Sequence, residues 1–349
     1  MYVREILPPR ATPVENGEPV QGTWTTAFNE VDLLDIRKPF RSPFSNLTRN
    51  SRIKEWESFF IQNDRFTIQA ILCNFKIYRY ASVILYDMEN RKQFRFNRTI
   101  PGTGWRLPRS LRNTYVDSRS WGFFFRVHSW LDADTVKLDL DIEPTRTRPS
   151  FTAHLEFSLG KVKVIPMAVS LVFSGNRSMY AYKALTPVRG DMVFGGQHIS
   201  MDPDKTTGLF CDFKGYYPFP MHSQWCMAAG FDSANRRIGF SVADNQNRES
   251  YKNNENALWI DGRLTPLPPV KITQTAGTDS EWTIQDMEGM VDLVFTPKEQ
   301  IRHKLDYFLF QSSLDSPLGF FNGMMVSSEG EEIPLRNVSG IGEKLFLRI

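Results

Sequence analysis

Two short segments in the first half of the chain alternate strictly between apolar and polar residues. Residues 136–142 read VKLDLDI and residues 151–157 read FTAHLEF, so every second side chain is apolar. Successive side chains of a β-strand point to opposite faces of a sheet, and this period of two therefore predicts strands with two different faces. The connecting EPTRTRPS is rich in turn residues, which predicts that the two strands form a hairpin.

Similar short segments recur along the whole chain, separated by Gly, Pro and Asn. They comprise residues 66–75, 82–87, 121–128, 164–173, 237–243, 291–295, 319–326 and 344–348. Many short strands with frequent turns favour an all-β sandwich or barrel. Thr296 and Pro297 resemble a helix start, but the rings of residues 301–310 suit sheet packing. We predict an extended conformation for most of residues 301–310.

The length of 349 residues exceeds what one hydrophobic core usually organises, and two domains are expected. The turn-rich region 174–196 is the predicted boundary. We predict an N-terminal domain of residues 1–185 and a C-terminal domain of residues 186–349.

Composition excludes several classes of partner. The chain has 42 basic and 39 acidic residues, a net charge of +3, and no basic run of the kind that binds nucleic acid. No apolar run is long enough for a transmembrane segment, and the N-terminus lacks a secretory signal pattern. The cysteines, Cys73, Cys211 and Cys226, lack CxxC spacing and read as small buried hydrophobes. These features predict a cytoplasmic protein without a nucleic-acid partner.

Familiar catalytic and cofactor motifs are absent from the sequence. It has no HExxH, no GxSxG, no Walker loop and no GxGxxG opening a helix. Its five histidines are scattered, and none pairs with another at the spacing of a local metal site. We therefore predict neither a metal nor a cofactor.

The candidate site is the segment 208–245, which places ring and polar residues between two predicted strands. Its candidate residues are Asp212, Tyr216, Tyr217, His222 and Trp225. Aromatic side chains line apolar cavities, whereas a few polar groups orient a ligand. The sequence therefore predicts an aromatic-lined cavity at this segment, near the interface of the two halves.

Polar residues follow this segment, and two of them are candidate ligand-binding groups. Asn245 and Glu255 lie in ADNQNRESYKNNENA, where their side chains are able to fix the head group of a ligand. An ordinary solvated loop is the alternative interpretation of the same residues. Glu343, which precedes the last strand, reads as a residue that latches this strand by hydrogen bonds.

Several blocks resemble a known family across nearly the whole chain. They are NGEPVQGTW, IKEWESFFIQND, GLFCDFKGYYPF with QWCMAAG, and EWTIQDMEGMVDLVFTP. They resemble an uncharacterised bacterial domain-of-unknown-function family, which is similar to the AttH, carotenoid 1,2-hydratase and tocopherol cyclase group. The resemblance implies two lipocalin-like antiparallel β-barrels in tandem, and chemistry on isoprenoid or lipid molecules.

Three functions remain open at this point. The first is binding of a hydrophobic small molecule, lipid-like or isoprenoid-like, in an aromatic-lined barrel cavity. The second is a hydratase, isomerase or cyclase in which Asp212 is the general acid and His222 a proton relay, with Tyr216, Tyr217 and Trp225 stabilising a carbocation. The third is a carbohydrate-active protein that pairs Asp212 with Glu255.

Overall fold

The computed structural model describes residues 2–102, 106–160, 163–275, 281–299, 302–307 and 310–348. Within these ranges the chain is almost entirely β, and the helical elements are short. They are the α-helix α1 (Ser45–Arg52) and two 3-10 turns, Leu33–Asp35 and Leu131–Ala133. The prediction of an all-β fold is confirmed.

The strands form two large antiparallel sheets and one small ribbon. The ribbon pairs β1 (Val14–Glu15) with β2 (Glu18–Pro19). The first sheet has 13 strands: β3 Gly22–Trp24, β4 Lys54–Gln62, β5 Phe66–Asn74, β6 Tyr78–Asp87, β7 Lys92–Pro101, β8 Thr114–Ser120, β9 Phe123–Trp130, β10 Thr135–Ile142, β11 Phe151–Ser158, β12 Met167–Ser174, β13 Arg177–Phe194, β14 Gln197–Met201 and β15 Thr207–Gly215. The second sheet has 11 strands: β16 Met221–Phe231, β17 Arg237–Asn245, β18 Ala257–Ile260, β19 Arg263–Pro266, β20 Val270–Gln274, β21 Trp282–Asp286, β22 Val291–Glu299, β23 Arg302–Tyr307, β24 Phe310–Asp315, β25 Leu318–Val326 and β26 Glu332–Arg348.

Strand order follows the chain closely, as in a meander. The first sheet runs β7-β6-β5-β4-β15-β13-β11-β10-β9-β8, and the second runs β19-β18-β17-β16-β26-β25-β22-β21-β20. The predicted hairpin is β10 with β11, in which Val136 faces Phe157 and Leu138 faces Leu155. The alternation of buried and exposed residues along β10 is the one expected from its sequence.

Each sheet contains one long strand that pairs with different neighbours along its length, and this allows the sheet to curl. The first part of β13 pairs with β12 and β15, and its last part pairs with β11 and β14. In the same way, β26 pairs with β25 along its first part and with β16 along its second. The result is two lipocalin-like antiparallel barrels in tandem, as the sequence predicts.

The position of the domain boundary stays a prediction. Strand β13 passes through the proposed division at 185/186 without a break. The chain leaves the first sheet at Gly215 and enters the second at Met221.

Three main hydrophobic clusters account for most of the buried apolar side chains. One lies inside the first sheet and another inside the second. The third lies between the two sheets and takes residues from both. Strand β4 illustrates this division, because Phe59 and Ile61 belong to the first cluster whereas Phe60 belongs to the cluster between the sheets. Both faces of such a strand are therefore buried.

Two smaller predictions concern the cysteines and residues 301–310. Cys73, Cys211 and Cys226 are free and buried. The extended conformation is confirmed over β23 and at Phe310, which begins β24. Residues 301, 308 and 309 lie outside the described residues.

Candidate functional site

A cavity opens between the two sheets. The first sheet contributes Trp56, Tyr80 and Phe213 to its wall, and the second contributes Trp225 and Leu345. The empty volume is about 1020 Å³, which includes open solvent at the mouth. Carbon atoms of aromatic and aliphatic side chains make up most of this lining, as is usual for sites that bind small organic molecules.

A buried ion pair lies beside the cavity and joins the two sheets. Lys183 is on β13, and its Nζ lies 2.7 Å from the carboxylate of Glu255, which precedes β18. The same Nζ donates hydrogen bonds of 2.9 Å to the Ser241 hydroxyl and to the Glu255 carbonyl oxygen. The Lys183 side chain is fully buried, and that of Glu255 is 8% exposed. Each charge is therefore compensated by the other, as burial requires.

Aromatic rings surround this ion pair on the cavity side. The Lys183 Nζ lies 5.2 Å from the ring centre of Phe213 and 5.7 Å from that of Trp225, within the range of cation–π attraction. The Trp225 indole donates a 2.7 Å hydrogen bond to the Ser241 hydroxyl, the same group that Lys183 contacts. One hydrogen-bond network through Ser241 thus fixes both Lys183 and the Trp225 ring.

Asn245, Glu255 and Tyr217 form what we call the polar end of the cavity. The Asn245 amide donates a 3.0 Å hydrogen bond to Glu255 Oε1. The Tyr217 ring stacks on Trp56 at 5.0 Å, and its buried hydroxyl has no hydrogen-bond partner among the described residues. Burial raises the pKa of Tyr217 well above its usual range, and the nearby Glu255 carboxylate adds to this effect. Tyr217 therefore keeps its proton and is a free donor.

The N-terminal segment holds the loop that carries Glu255. Arg4 is buried, and its guanidinium donates a 2.9 Å hydrogen bond to the carbonyl oxygen of Asn254. Asn256, on the other side of Glu255, donates to the Pro268 carbonyl at 2.9 Å. Both neighbours of Glu255 are thus fixed, which positions its carboxylate at the cavity.

A second carboxyl group, Glu343 on β26, also lines the cavity. Its Oε1 accepts hydrogen bonds from Gln69 Nε2 at 2.8 Å and from the Ser316 hydroxyl at 3.3 Å. Burial raises the pKa of Glu343 above its ordinary value of 4.5, although these two hydrogen bonds act in the opposite direction. The environment of Glu343 thus favours the neutral acid more than water does.

His222 lies at the mouth of the cavity, at the start of β16. Its side chain is exposed and packs at 5.0 Å from the ring of Phe346. Its backbone N–H donates a 2.8 Å hydrogen bond to the side chain of Gln246. Of the residues predicted from the sequence, the cavity thus brings together Tyr217, His222, Trp225, Asn245 and Glu255.

Asp212 and Tyr216 do not line this cavity, and the prediction that Asp212 shares it with Trp225 is wrong. On β15, Cys211 and Phe213 belong to the cluster between the sheets. Asp212 stands between them in sequence and so points to the opposite face, into the first barrel. Tyr216 likewise belongs to the cluster inside the first sheet. Because Asp212 and Glu255 lie on different faces, a carboxylate pair of the glycosidase kind is not formed.

Asp212 belongs instead to a buried polar group inside the first barrel. It lies opposite Glu57 of β4 in the register and 3.4 Å from the Nζ of Lys214. Burial raises the pKa of both carboxyl groups, and their mutual repulsion raises that of Glu57 further. Both shifts favour the neutral form of these carboxyl groups, in which burial costs less.

Sequence patterns alone identified neither Lys183 nor Trp56, and they did not predict that Glu343 lines the cavity. Lys183 stands in YAYKALT, where every residue is buried and no alternation marks its face. A lysine within an apolar strand is the only available signal, because such a charge needs a buried partner. Trp56 lies in the block IKEWESFFIQND, but the sequence does not indicate whether its ring faces the cavity or the barrel interior.

The described ranges also bear on metal binding and on membrane spanning. No group of three or more His, Cys, Asp or Glu side chains in these ranges is arranged to hold a metal ion. None of the helices in the same part of the chain has the length and hydrophobicity needed to cross a membrane.

The fold and the cavity define an all-β protein with two lipocalin-like barrels and a site between them. A family model described as domain of unknown function, DUF2804, matches residues 4–348. The chain belongs to the DUF2804 family. None of the curated proteins matches it in sequence.

Solved structures share this architecture at low sequence identity. The crystal structure of CghA is 11% identical, with a TM-score of 0.53 over 86% of this chain and 89% of that chain. CghA with Sch210972 is 10% identical, with a TM-score of 0.51 over the same shares of the two chains. Kievitone hydratase from Nectria haematococca is 13% identical, with a TM-score of 0.47 over 84% of this chain and 88% of that chain. The likeness to CghA confirms the fold.

Proposed function

We propose that this protein binds a mainly apolar small molecule in the cavity between its two sheets. The carrying observation is the cavity itself, which is already formed and is walled by rings such as Trp56, Phe213 and Trp225. Its polar groups are few, and the Lys183–Glu255 network holds Asn245 and the Trp225 indole in place. Apolar walls with a few fixed polar groups are typical of small-molecule sites. CghA, which has the same fold, has been solved with Sch210972.

Binding of a neutral fluorescent probe tests this proposal. We expect Nile red to bind with saturable fluorescence enhancement, and Trp225→Phe and Trp225→Ala to weaken binding progressively. The aromatic contact alone is worth about 0.5–1.5 kcal/mol beyond the area buried, so Trp225→Ala should lower affinity by at least about threefold. The control is Trp121→Ala, because Trp121 is 92% exposed and lies outside the cavity.

Two outcomes would contradict the proposal. One is the absence of saturable Nile red binding to the folded protein. The other is an equal effect of the Trp225 and Trp121 substitutions, which would place the probe on the surface. Circular dichroism of each variant distinguishes a lost site from a lost fold.

A second candidate is proton-transfer chemistry on the bound molecule, as in a hydratase, isomerase or cyclase. The observation that favours it is Glu343, a buried carboxyl whose raised pKa favours the protonated form at the cavity wall. Such an acid is able to protonate a carbon–carbon double bond, and nearby rings stabilise the resulting cation. Asp212 faces the first barrel, so Glu343 replaces it as the proposed acid.

Isotope exchange tests this second candidate. With farnesol as the probe in D₂O, enzymatic protonation and loss of a proton would introduce carbon-bound deuterium, detected by mass spectrometry after back-exchange of the hydroxyl. We expect Glu343→Gln to abolish the exchange and Asp212→Asn, if folded, to retain it. Absence of exchange in the unmodified protein, or loss only with Asp212→Asn, would overturn the assignment to Glu343.

A further inference from the structure

We infer that the polar end of the cavity recognises a neutral hydroxyl group, of an alcohol or a phenol, on the bound molecule. This inference rests on the proposed binding function and specifies the class of ligand. It is carried by Tyr217 and Glu255, two residues that line the same cavity, and by the unpaired hydroxyl of Tyr217.

Tyr217 supplies an unused hydrogen-bond donor. Tyr217 is 8% exposed, and its hydroxyl is buried without a partner among the described residues. The Tyr217 ring stacks on Trp56, and its centre lies 5.8 Å from the ring centre of Phe173. These contacts hold the ring, so that turning the hydroxyl towards another partner would be costly. A buried donor left without an acceptor is unfavourable, and an acceptor on the ligand removes this penalty.

Glu255 supplies the complementary acceptor. Its Oε2 accepts a hydrogen bond from Lys183 and its Oε1 accepts one from Asn245. Each carboxylate oxygen has a second lone pair that is able to accept another hydrogen bond. Tyr217 and Glu255 do not hydrogen bond to each other, because the Tyr217 hydroxyl has no partner in the described part of the chain. A ligand group that contacts both must therefore accept a hydrogen bond from Tyr217 and donate one to Glu255.

Charge balance excludes the main alternatives to a hydroxyl. Lys183 already neutralises Glu255, so neither a cationic nor an anionic ligand group finds a free counter-charge there. A ligand carboxylate would lack a donated proton for Glu255 and would be repelled by it. An ether or ketone accepts from Tyr217 but gives nothing to Glu255. A hydroxyl both donates and accepts, and it carries no charge.

Matched naphthalene probes test this inference. Displacement of Nile red is measured with 2-naphthol, 2-methoxynaphthalene, naphthalene and 2-naphthoate at pH 7. We expect 2-naphthol to bind about tenfold more tightly than its methyl ether, which keeps the acceptor and loses the donor, and 2-naphthoate to bind most weakly.

Tyr217→Phe should lower the affinity for 2-naphthol about fivefold to tenfold and leave that for naphthalene unchanged. Tyr115→Phe is the control, because Tyr115 is 62% exposed and outside the cavity. Equal affinities of 2-naphthol and its methyl ether, or an unchanged naphthol preference in Tyr217→Phe, would overturn the inference while binding itself stands. Failure of every naphthalene and of Nile red to bind would overturn the proposed function instead.

Discussion

The Nζ of Lys183 and the carboxylate of Glu255 lie 2.7 Å apart across the junction of the two sheets. Lys183 belongs to β13 of the first sheet, and Glu255 precedes β18 of the second. The contact therefore ties the two halves together at the wall of the cavity. It also holds a carboxylate in an apolar environment, where an isolated charge would be very unfavourable.

Removing one member of this pair should be far more costly than removing both. We expect Lys183→Met to lower the free energy of unfolding by about 3–5 kcal/mol, because Glu255 remains as a buried charge without its partner. The double variant Lys183→Met, Glu255→Leu should recover much of this loss. Urea denaturation of the three proteins measures the coupling.

An exposed ion pair provides the control for this experiment. Arg263 and Glu329 are 3.8 Å apart, and their side chains are 79% and 76% exposed. Arg263→Met should change the free energy of unfolding by less than about 0.5 kcal/mol. Similar losses for Lys183→Met and Arg263→Met would show that the Lys183–Glu255 pair does not stabilise the junction.

The raised pKa of Glu343 predicts a pH-dependent stability. The folded state holds the Glu343 proton more tightly than the unfolded state, whose carboxyl titrates near 4.5. The stabilisation is fully present below pH 4.5, decreases as pH rises above it, and is lost once the pH has passed the folded-state pKa. Glu343→Gln removes this dependence.

The measurement is the difference in urea unfolding free energy between the unmodified protein and Glu343→Gln, taken from pH 4 to pH 9. We expect the unmodified protein to lose stability relative to the variant as pH rises. Glu329→Gln, at an exposed position, is the control. A difference that is constant, or that changes in the opposite direction, contradicts a raised pKa.

The alternation along β10 predicts a contrast between neighbouring substitutions. Leu138 is fully buried, whereas Asp141 on the same strand is exposed. Leu138→Asp should lower the free energy of unfolding by roughly 3 kcal/mol or more, because it buries a charge without a partner. Asp141→Asn should stay within about 0.5 kcal/mol of the unmodified protein. Thermal melting compares the two, and equal melting temperatures would mean that Leu138 does not face a core.

Gly190 on β13 should not tolerate a side chain. Its φ is +133°, and a Cβ added there would lie 2.0 Å from the carbonyl oxygen of His154. Gly196 also has a positive φ, +82°, but a Cβ there meets nothing within 4 Å. We expect Gly190→Ala to cost more than about 2 kcal/mol and Gly196→Ala about 1 kcal/mol. Equal losses in denaturation experiments would show that the clash at Gly190 relaxes freely.

The sequence by itself determined the β class and much of the site. Strict alternation in residues 136–142 and 151–157 predicted β10, β11 and their pairing. A strand with one buried face has an apolar residue at every second position of its sequence. The prediction of a cavity near 208–245 located Tyr217, His222 and Trp225, and the following polar loop supplied Asn245 and Glu255. Aromatic residues close in sequence to a few polar residues predict a binding cavity, and this pattern is visible without knowledge of the fold.

Only the tertiary structure decided which face each buried residue occupies. Along β15 and over residues 178–188 of β13 both faces are buried. Apolar residues therefore occur on both faces, and alternation no longer marks the side on which Asp212 or Lys183 lies. No local sequence pattern predicts that the two sheets pack together and leave a cavity between them. That arrangement depends on contacts between residues far apart in the chain, such as Gln69 with Glu343 and Lys183 with Glu255. The same side chains acquire their roles from the partner that folding brings to them.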